Sequence, residues 1–439
     1  MAILSEKDAK KILDKVLSYS KADECEVNLN GSTGGNIRYA LNSVTTSGYQ
    51  DDVNLSIQST YGKKVGTATT NEFDNQALEA TVRRAEELAR LAPENPEYMP
   101  RLGPQTYKAS KDCWADTTAT ITPAYRAQAA AHSIKPCREK NLSAAGFLTD
   151  QGGFRAMANT NGLFAYHQET SVNFTATIRT QDGTGSGWVS RDYNDVSKLD
   201  TGKASRIAMD KAEGSVNAKA IEPGKYTVIL EPIAAADLMF RIFGAFNQRS
   251  ADEGRSFMSK KGGGNKLGEK IVDERISIYS DPWHPDVPYA PWNGEGQARE
   301  KTYWIKDGVV QNLFVSRYWA KEKGVNAMPG PESGIVSGGD ASVEDLIKDT
   351  RKGILVTRLW YIRFVDPQTL LFTGLTRDGT FFIENGKIKH PIKNLRFNES
   401  PIIMLNNLEA LGKQQRYQGS LIPAMKIRDF TFTSSSDAV

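Results

Sequence analysis

Tyr226-Thr-Val-Ile-Leu-Glu-Pro-Ile-Ala-Ala-Ala-Asp-Leu-Met-Phe-Arg-Ile-Phe-Gly-Ala-Phe246 is the stretch whose reading decides the rest. Residues 226–230 form a short apolar run of strand length, and the alanine-rich segment from Ala234 reads as a helix. A strand thus feeds a helix.

Working outward, the 439 residues suffice for a large core and two or three domains. A hydrophobic content of 39% with 24% charged residues argues against disorder. The 55 basic and 52 acidic side chains leave a net charge of +3, without the concentrated basic face that nucleic acid requires. Cys25, Cys113 and Cys137 are far apart, odd in number and form no C-x-x-C pair. They suggest neither a disulfide framework nor a zinc knuckle, and a reducing compartment fits them. The N-terminus lacks a basic segment followed by an apolar run, and no apolar stretch approaches the roughly 20 residues that span a bilayer. The expected location is the cytoplasm, with no membrane partner.

Toward the N-terminus, Ser5 caps an amphipathic helix over 5–18 in which Ala9, Ile12, Leu13, Val16 and Leu17 share a face. Alternating strands follow at Cys25, Val27, Leu29 and at Val53, Leu55, Ile57, with Asn30-Gly31 and Gly34-Gly35 reading as turns between them. A second helix covers 74–91 and ends before Pro93. Residues 94–120 read as a linker. A helix over 122–135 closes at Pro136, strands follow at 146–149, 154–159, 164–174 and 175–180, and a helix covers 199–212. The glycine-rich 183–187 lacks the Gly-Lys-Ser/Thr of a phosphate loop. Beyond Pro223 the pattern is mostly β, with hairpins turning at Asp307-Gly308 and Asn385-Gly386, a short helix over 342–349, another over 402–411 and a strand over 424–432. The fold class is therefore α+β: an N-terminal unit with helices on a sheet (1–110), a middle unit (111–222) and a β-rich C-terminal unit (223–439).

The chemistry legible in the residues is sparse. His132, His167, His284 and His390 lie too far apart for a local metal pair, and each taken singly is more often structural than catalytic. No Gly-x-Ser-x-Gly elbow occurs at a strand–helix junction. Cys25 reads as a core residue, and nothing beside Cys113 or Cys137 suggests an activated thiolate. Glu253, Glu295 and Glu384 stand near glycines in loops or turns, which is a modest functional hint against a larger background of turn chemistry. Glu253, Glu295 and His284 are the weak catalytic candidates.

A family pattern runs through the C-terminal half. Ser256-Phe257, Lys266-Leu-Gly-Glu-Lys-Ile271, Asn293-Gly-Glu-Gly296, Trp304-Ile-Lys-Asp-Gly-Val-Val310 and Ser316-Arg-Tyr318 with Ala320 follow one another in order. Gly353-Ile-Leu-Val-Thr-Arg-Leu359 and Phe382-Ile-Glu-Asn-Gly-Lys-Ile388 complete it. The order and spacing of these pieces, with the N-terminal helix–strands–helix pattern, resemble the TldD/PmbA family. That resemblance implies an α+β fold with a β-rich C-terminal domain and an internal cavity for peptide. It also implies a metallopeptidase-like class linked to peptide maturation and antitoxin degradation, and named for modulation of DNA gyrase. In the family, TldD-type members carry His-Glu-x-x-x-His and a late cysteine, whereas PmbA-type (TldE) members lack them and pair with a TldD-type subunit. Here the motif positions hold Phe240, Arg241 and Ala245, and no cysteine follows Cys137. The chain resembles the PmbA type.

The resemblance therefore implies a metal-free subunit of a heteromeric zinc metallopeptidase acting on unfolded peptide, with zinc only in a TldD-type partner. Two other readings stay open: a stand-alone hydrolase with non-metal machinery, and a homodimeric peptide-binding protein without catalysis. Balanced charge speaks against a nucleic-acid partner.

Overall fold

The computed structural model describes residues 3–436 and is a mixed α and β fold built on two sheets. The first sheet is antiparallel and six-stranded. Its strands are β1 (Glu24–Ala40), β2 (Ser43–Tyr61), β3 (Lys64–Thr70), β4 (Leu142–Asn159), β5 (Phe164–Thr180) and β6 (Ser186–Tyr193), in the order β3-β2-β1-β4-β5-β6. Strands from the first and the second of the expected units share this one sheet.

Side chains alternate across a strand, so residue parity sorts the two faces. On one face Cys25, Val27, Leu29, Ile37 and Tyr39 of β1 line up with Leu142, Ala144, Leu148, Phe154 and Ala156 of β4. Helices α1 (Glu6–Tyr19) and α2 (Asn75–Leu91) cover one end of this face. After the short α3 (Asp116–Ala119), helices α4 (Pro123–Glu139) and α5 (Thr201–Gly214) cover the other end. The expected cap at Ser5 is formed, its side chain accepting from the Asp8 amide, and Asp74 also caps its helix by accepting from the Ala77 amide. The opposite face carries no helix and is polar.

Three expectations change. Gly31 and Gly34-Gly35 lie inside β1, and the chain turns instead at Leu41-Asn42, both with positive φ. The paired glycines serve close approach. A Cβ on Gly34 would lie 2.1 Å from the Asp150 carbonyl oxygen of β4, and one on Gly35 would lie 2.2 Å from the Arg126 guanidinium carbon. Arg126 and Asp150 form a buried pair there (Nε–Oδ1 2.6 Å, Nη2–Oδ2 2.8 Å). The segments expected as separate strands at 146–149 and 154–159, and at 164–174 and 175–180, are continuous β4 and β5. Pro136 does not end its helix; α4 continues to Glu139, with buried Cys137 holding the last turn in the core.

The C-terminal half forms a second, 13-stranded sheet around a core that includes Trp304, Phe372, Phe397 and Phe430. Its strand β7 (Gly224–Leu230) pairs parallel with strand Lys352–Val356 and antiparallel with strand Ser420–Ser436. The hairpins turn at Asp307-Gly308 and Asn385-Gly386 through positive φ, as expected. The helix expected over 402–411 is shorter, Pro401–Asn406, because the chain leaves it at Leu408 to pair with strand Ser420–Ser436.

Candidate functional site

Helix α6 (Pro232–Phe243) follows β7 directly. Pro232 fits its first turn, where the missing N–H has no partner to lose. Ile233, Ala234, Ala235, Ala236, Leu238, Met239 and Ile242 are all buried. Only Asp237, Phe240, Arg241, Phe243 and Gly244 face outward or sit at the margin, along one side of the helix.

Of the three positions that the resemblance aligns with the metal motif, Phe240 and Ala245 are packed and Arg241 is exposed. Phe240 stacks on Tyr417 (centroids 6.1 Å, planes 17° apart) and leans on Phe243 at 6.0 Å. Tyr417 meets Trp188 of β6 edge-on at 6.4 Å, and the Arg358 guanidinium lies 3.9 Å over Trp188. A column of rings thus runs from α6 to the first sheet. Its far end is fixed by buried Asp378, which pairs with Arg358 and accepts from Ser186 Oγ at 2.6 Å. Arg241 is exposed, 6.0 Å from the Phe372 ring, and Ala245 is buried with its carbonyl accepting from Ser256 Oγ at 3.3 Å. This donor set does not suit zinc. Among the described residues no group of three or more His, Cys, Asp or Glu stands together in a way that could hold a metal ion. The three cysteines are buried free thiols, and burial pushes each above the usual thiol range, Cys113 and Cys137 to about 11.

Asp237, one turn before Phe240, went unnoticed in the sequence. Burial raises its carboxyl to about 7, while Arg358, the Leu359 amide and Arg241 pull the other way. A carboxyl that exchanges its proton near neutral pH is often functional, and also occurs in structural networks.

The weak candidates are scattered. Glu253, just past the helix Gln248–Asp252, is held by Arg255 and by Arg249 (3.0 Å); the two arginines keep its carboxyl below the usual range. Glu295 is exposed in a loop, 3.8 Å from Arg317. His284 Nδ1 accepts from the Asp286 amide at 3.2 Å within its own loop. No hydrogen bond or ion pair joins any two of them among the described residues. The structure does not assemble an acid–base pair from these three.

What the fold does assemble is a cavity of about 600 Å³ between the helix-free face of the first sheet and the C-terminal half. Its floor is the polar parity of β2, β1, β4 and β5; its roof includes Pro288 and the turn after strand Leu408–Tyr417. Asp192 of β6 fastens that roof. Its carboxylate accepts from Arg416 Nε (2.9 Å) and from the amides of Gln418 (2.8 Å) and Gly419 (3.0 Å). Arg416 also donates to Asn194 Oδ1 at 2.7 Å and to the Asp286 carbonyl. Of the floor residues only His167 had been singled out, as a lone strand histidine. Alternation of His167, Glu169, Ser171 and Asn173 along β5 was the signal, but it needed the sheet order to show what it faced.

Three family models match in chain order: PmbA/TldA metallopeptidase domain 1 over residues 25–89, the central domain over 116–216 and the C-terminal domain over 223–434. Metalloprotease PmbA of Escherichia coli O157:H7 is 22% identical, with 97% of this chain and 98% of that protein aligned. The crystal structure of TldE from Thermococcus kodakarensis superposes with a TM-score of 0.86 at 19% identity, covering 97% of this chain and 100% of that one. A Thermotoga maritima protein described as a candidate modulator of DNA gyrase gives the same TM-score at 18% identity, over 97% and 100% of the two chains. The strand-to-helix junction at β7–α6, the two-sheet plan and these matches across nearly the whole length lead to one assignment: the chain belongs to the PmbA/TldD family.

Proposed function

We propose that this chain is a metal-free, TldE-like subunit of a heteromeric zinc metallopeptidase that acts on unfolded peptide. The reading is supported by the strand–helix junction: counted from that strand, the positions that would carry His-Glu-x-x-x-His are Phe240, Arg241 and Ala245, and Phe240 packs in a ring column with Tyr417 and Phe243. A catalytic zinc takes about three protein ligands and a water. This polypeptide offers none of the three at that helix, so hydrolysis belongs to a partner that does. The likeness to TldE and to PmbA supports the assignment of type. The polar cavity beside the column supports a role in holding peptide.

The test is co-expression with a His-Glu-x-x-x-His relative from the same genome, followed by metal quantification. The expected result is a complex with one zinc per pair, the metal remaining with the partner on dissociation, and peptide cleavage only by the complex. One tightly bound zinc per copy of this chain alone would overturn the reading.

A further inference from the structure

We propose that Arg155 and His167, at the floor of the cavity, form a carboxylate-binding subsite. The inference rests on the reading of the ligand as peptide for its substrate class, but on geometry for its place. Across the helix-free face Asn54 stands opposite Asn30, Asn30 opposite Arg155, and Arg155 opposite His167. All four line the cavity. Directly paired residues on one sheet face hold their Cβ atoms about 5 Å apart, so the guanidinium and the imidazole are neighbours.

Both carry an unmet need. His167 is 6% exposed and its Nε2 has no hydrogen-bond partner; the Nε of Arg155 has none either. A buried polar nitrogen left without a partner costs about 1–3 kcal/mol, and with Nε2 protonated the two nitrogens are adjacent donors that one acceptor could bridge. Glu169 is the nearest anion: its Oε2 stands 3.5 Å from His167 Nε2, longer than a good hydrogen bond, and His167 and Arg155 hold its carboxyl below the usual range, so the pair already favours a carboxylate here. Arg155 is held from behind by Trp292, whose ring lies 5.1 Å from the guanidinium carbon. A planar guanidinium beside an imidazole N–H matches the two oxygens of a carboxylate. The amide side chains of Asn30 and Asn54, next along the row, have the donors and acceptors to pair with a peptide backbone. The chemistry named is a carboxylate, from a peptide C-terminus or from a small free acid.

The test is calorimetric titration of the full chain with an N-acetylated tetra-alanine bearing a free C-terminal carboxylate, with its C-terminal amide, and with acetate as competitor. The acid is expected to bind about tenfold or more tightly than the amide, the scale of one charge-assisted pair. R155Q and H167Q should each erase that preference, with circular dichroism confirming the fold. E169Q removes the competing anion while keeping the side chain's size, so it should tighten the acid several-fold. Displacement by acetate would assign the subsite to carboxylates generally; failure of acetate to displace would assign it to peptide termini. Equal binding of acid and amide, binding of neither, a preference that survives R155Q, or weakening by E169Q would each overturn the proposal. A chain that pairs with a zinc-bearing partner but shows no acid preference removes the subsite alone. A preference without any such partner removes the subunit reading alone.

Discussion

Asp192→Ala tests whether the cavity roof is fastened by one carboxylate. The substitution removes the acceptor of three hydrogen bonds at 2.8–3.0 Å. Arg416 keeps Asn194 and the Asp286 carbonyl, so its loss is partial. The amides of Gln418 and Gly419 keep nothing in exchange except water from the cavity. Each orphaned donor costs about 1–3 kcal/mol, and the low end applies where water can enter. Two donors at about 1 kcal/mol each and about 1 kcal/mol for the part-buried ion pair give roughly 3 kcal/mol of local stability. Unfolding of so long a chain is not a two-state event, so the readout must be local. Amide hydrogen exchange supplies it: 3 kcal/mol corresponds to roughly a 150-fold faster opening at Gln418 and Gly419, with amides in the core of α1 unchanged. Asp192→Asn, which keeps one acceptor oxygen, should fall between. Exchange at the two amides within about threefold of the parent protein would refute the argument, because the turn would then be held by strand pairing alone.

Three further outcomes follow from the same structure. Phe240→Ala should destabilise the C-terminal half by about 2–3 kcal/mol and shift the emission of Trp188, since it empties the middle of the ring column; an unchanged melting temperature and spectrum would contradict that packing. Asp237 is raised from an ordinary 3.8 to about 7, so between those pH values the native chain holds a proton that the unfolded chain has released. Stability therefore falls as pH rises through that window and levels off above it. Asp237→Asn should raise stability by about 1–2 kcal/mol at pH 8, discounted for partial exposure, and leave it unchanged at pH 4 in thermal melts; an equal effect at both pH values would count against the titration. The buried thiols of Cys25, Cys113 and Cys137 should react slowly with an aromatic disulfide reagent in the native protein and together in urea; a fast single thiol in the native state would be inconsistent with their burial.

Local chemistry written in a few adjacent residues was legible from the sequence. Ser5 starts a helix with its side chain, and Asp307-Gly308 and Asn385-Gly386 turn hairpins, because each motif meets its own backbone needs. Gly34-Gly35 misled because the pair answers to a carbonyl of Asp150 and a guanidinium of Arg126, both more than ninety residues away in the chain. Residues beyond 407 had helix-like spacing, but Leu408 gains a strand partner in Ile427 that no local pattern announces. The cavity was not legible, since its floor comes from one parity of four strands and its roof from a turn more than 200 residues from Asp192.

The ring column also bears on how such a chain could change. Reintroducing histidine at 240 alone would take a ring away from Tyr417 and Phe243 while supplying a single ligand. Histidine at 245 alone would put a bulky polar ring in place of a buried alanine, and glutamate at 241 alone would replace an exposed arginine, again without the three ligands a zinc needs. Tyr417 and Trp188 sit on different sheets and would have to yield together. The steps at 240 and 245 therefore lose packing before any metal can repay it, and the step at 241 gains no metal by itself. The column acts as a ratchet: sequences in this state can vary around it, but mutation and selection do not lead back through it one residue at a time.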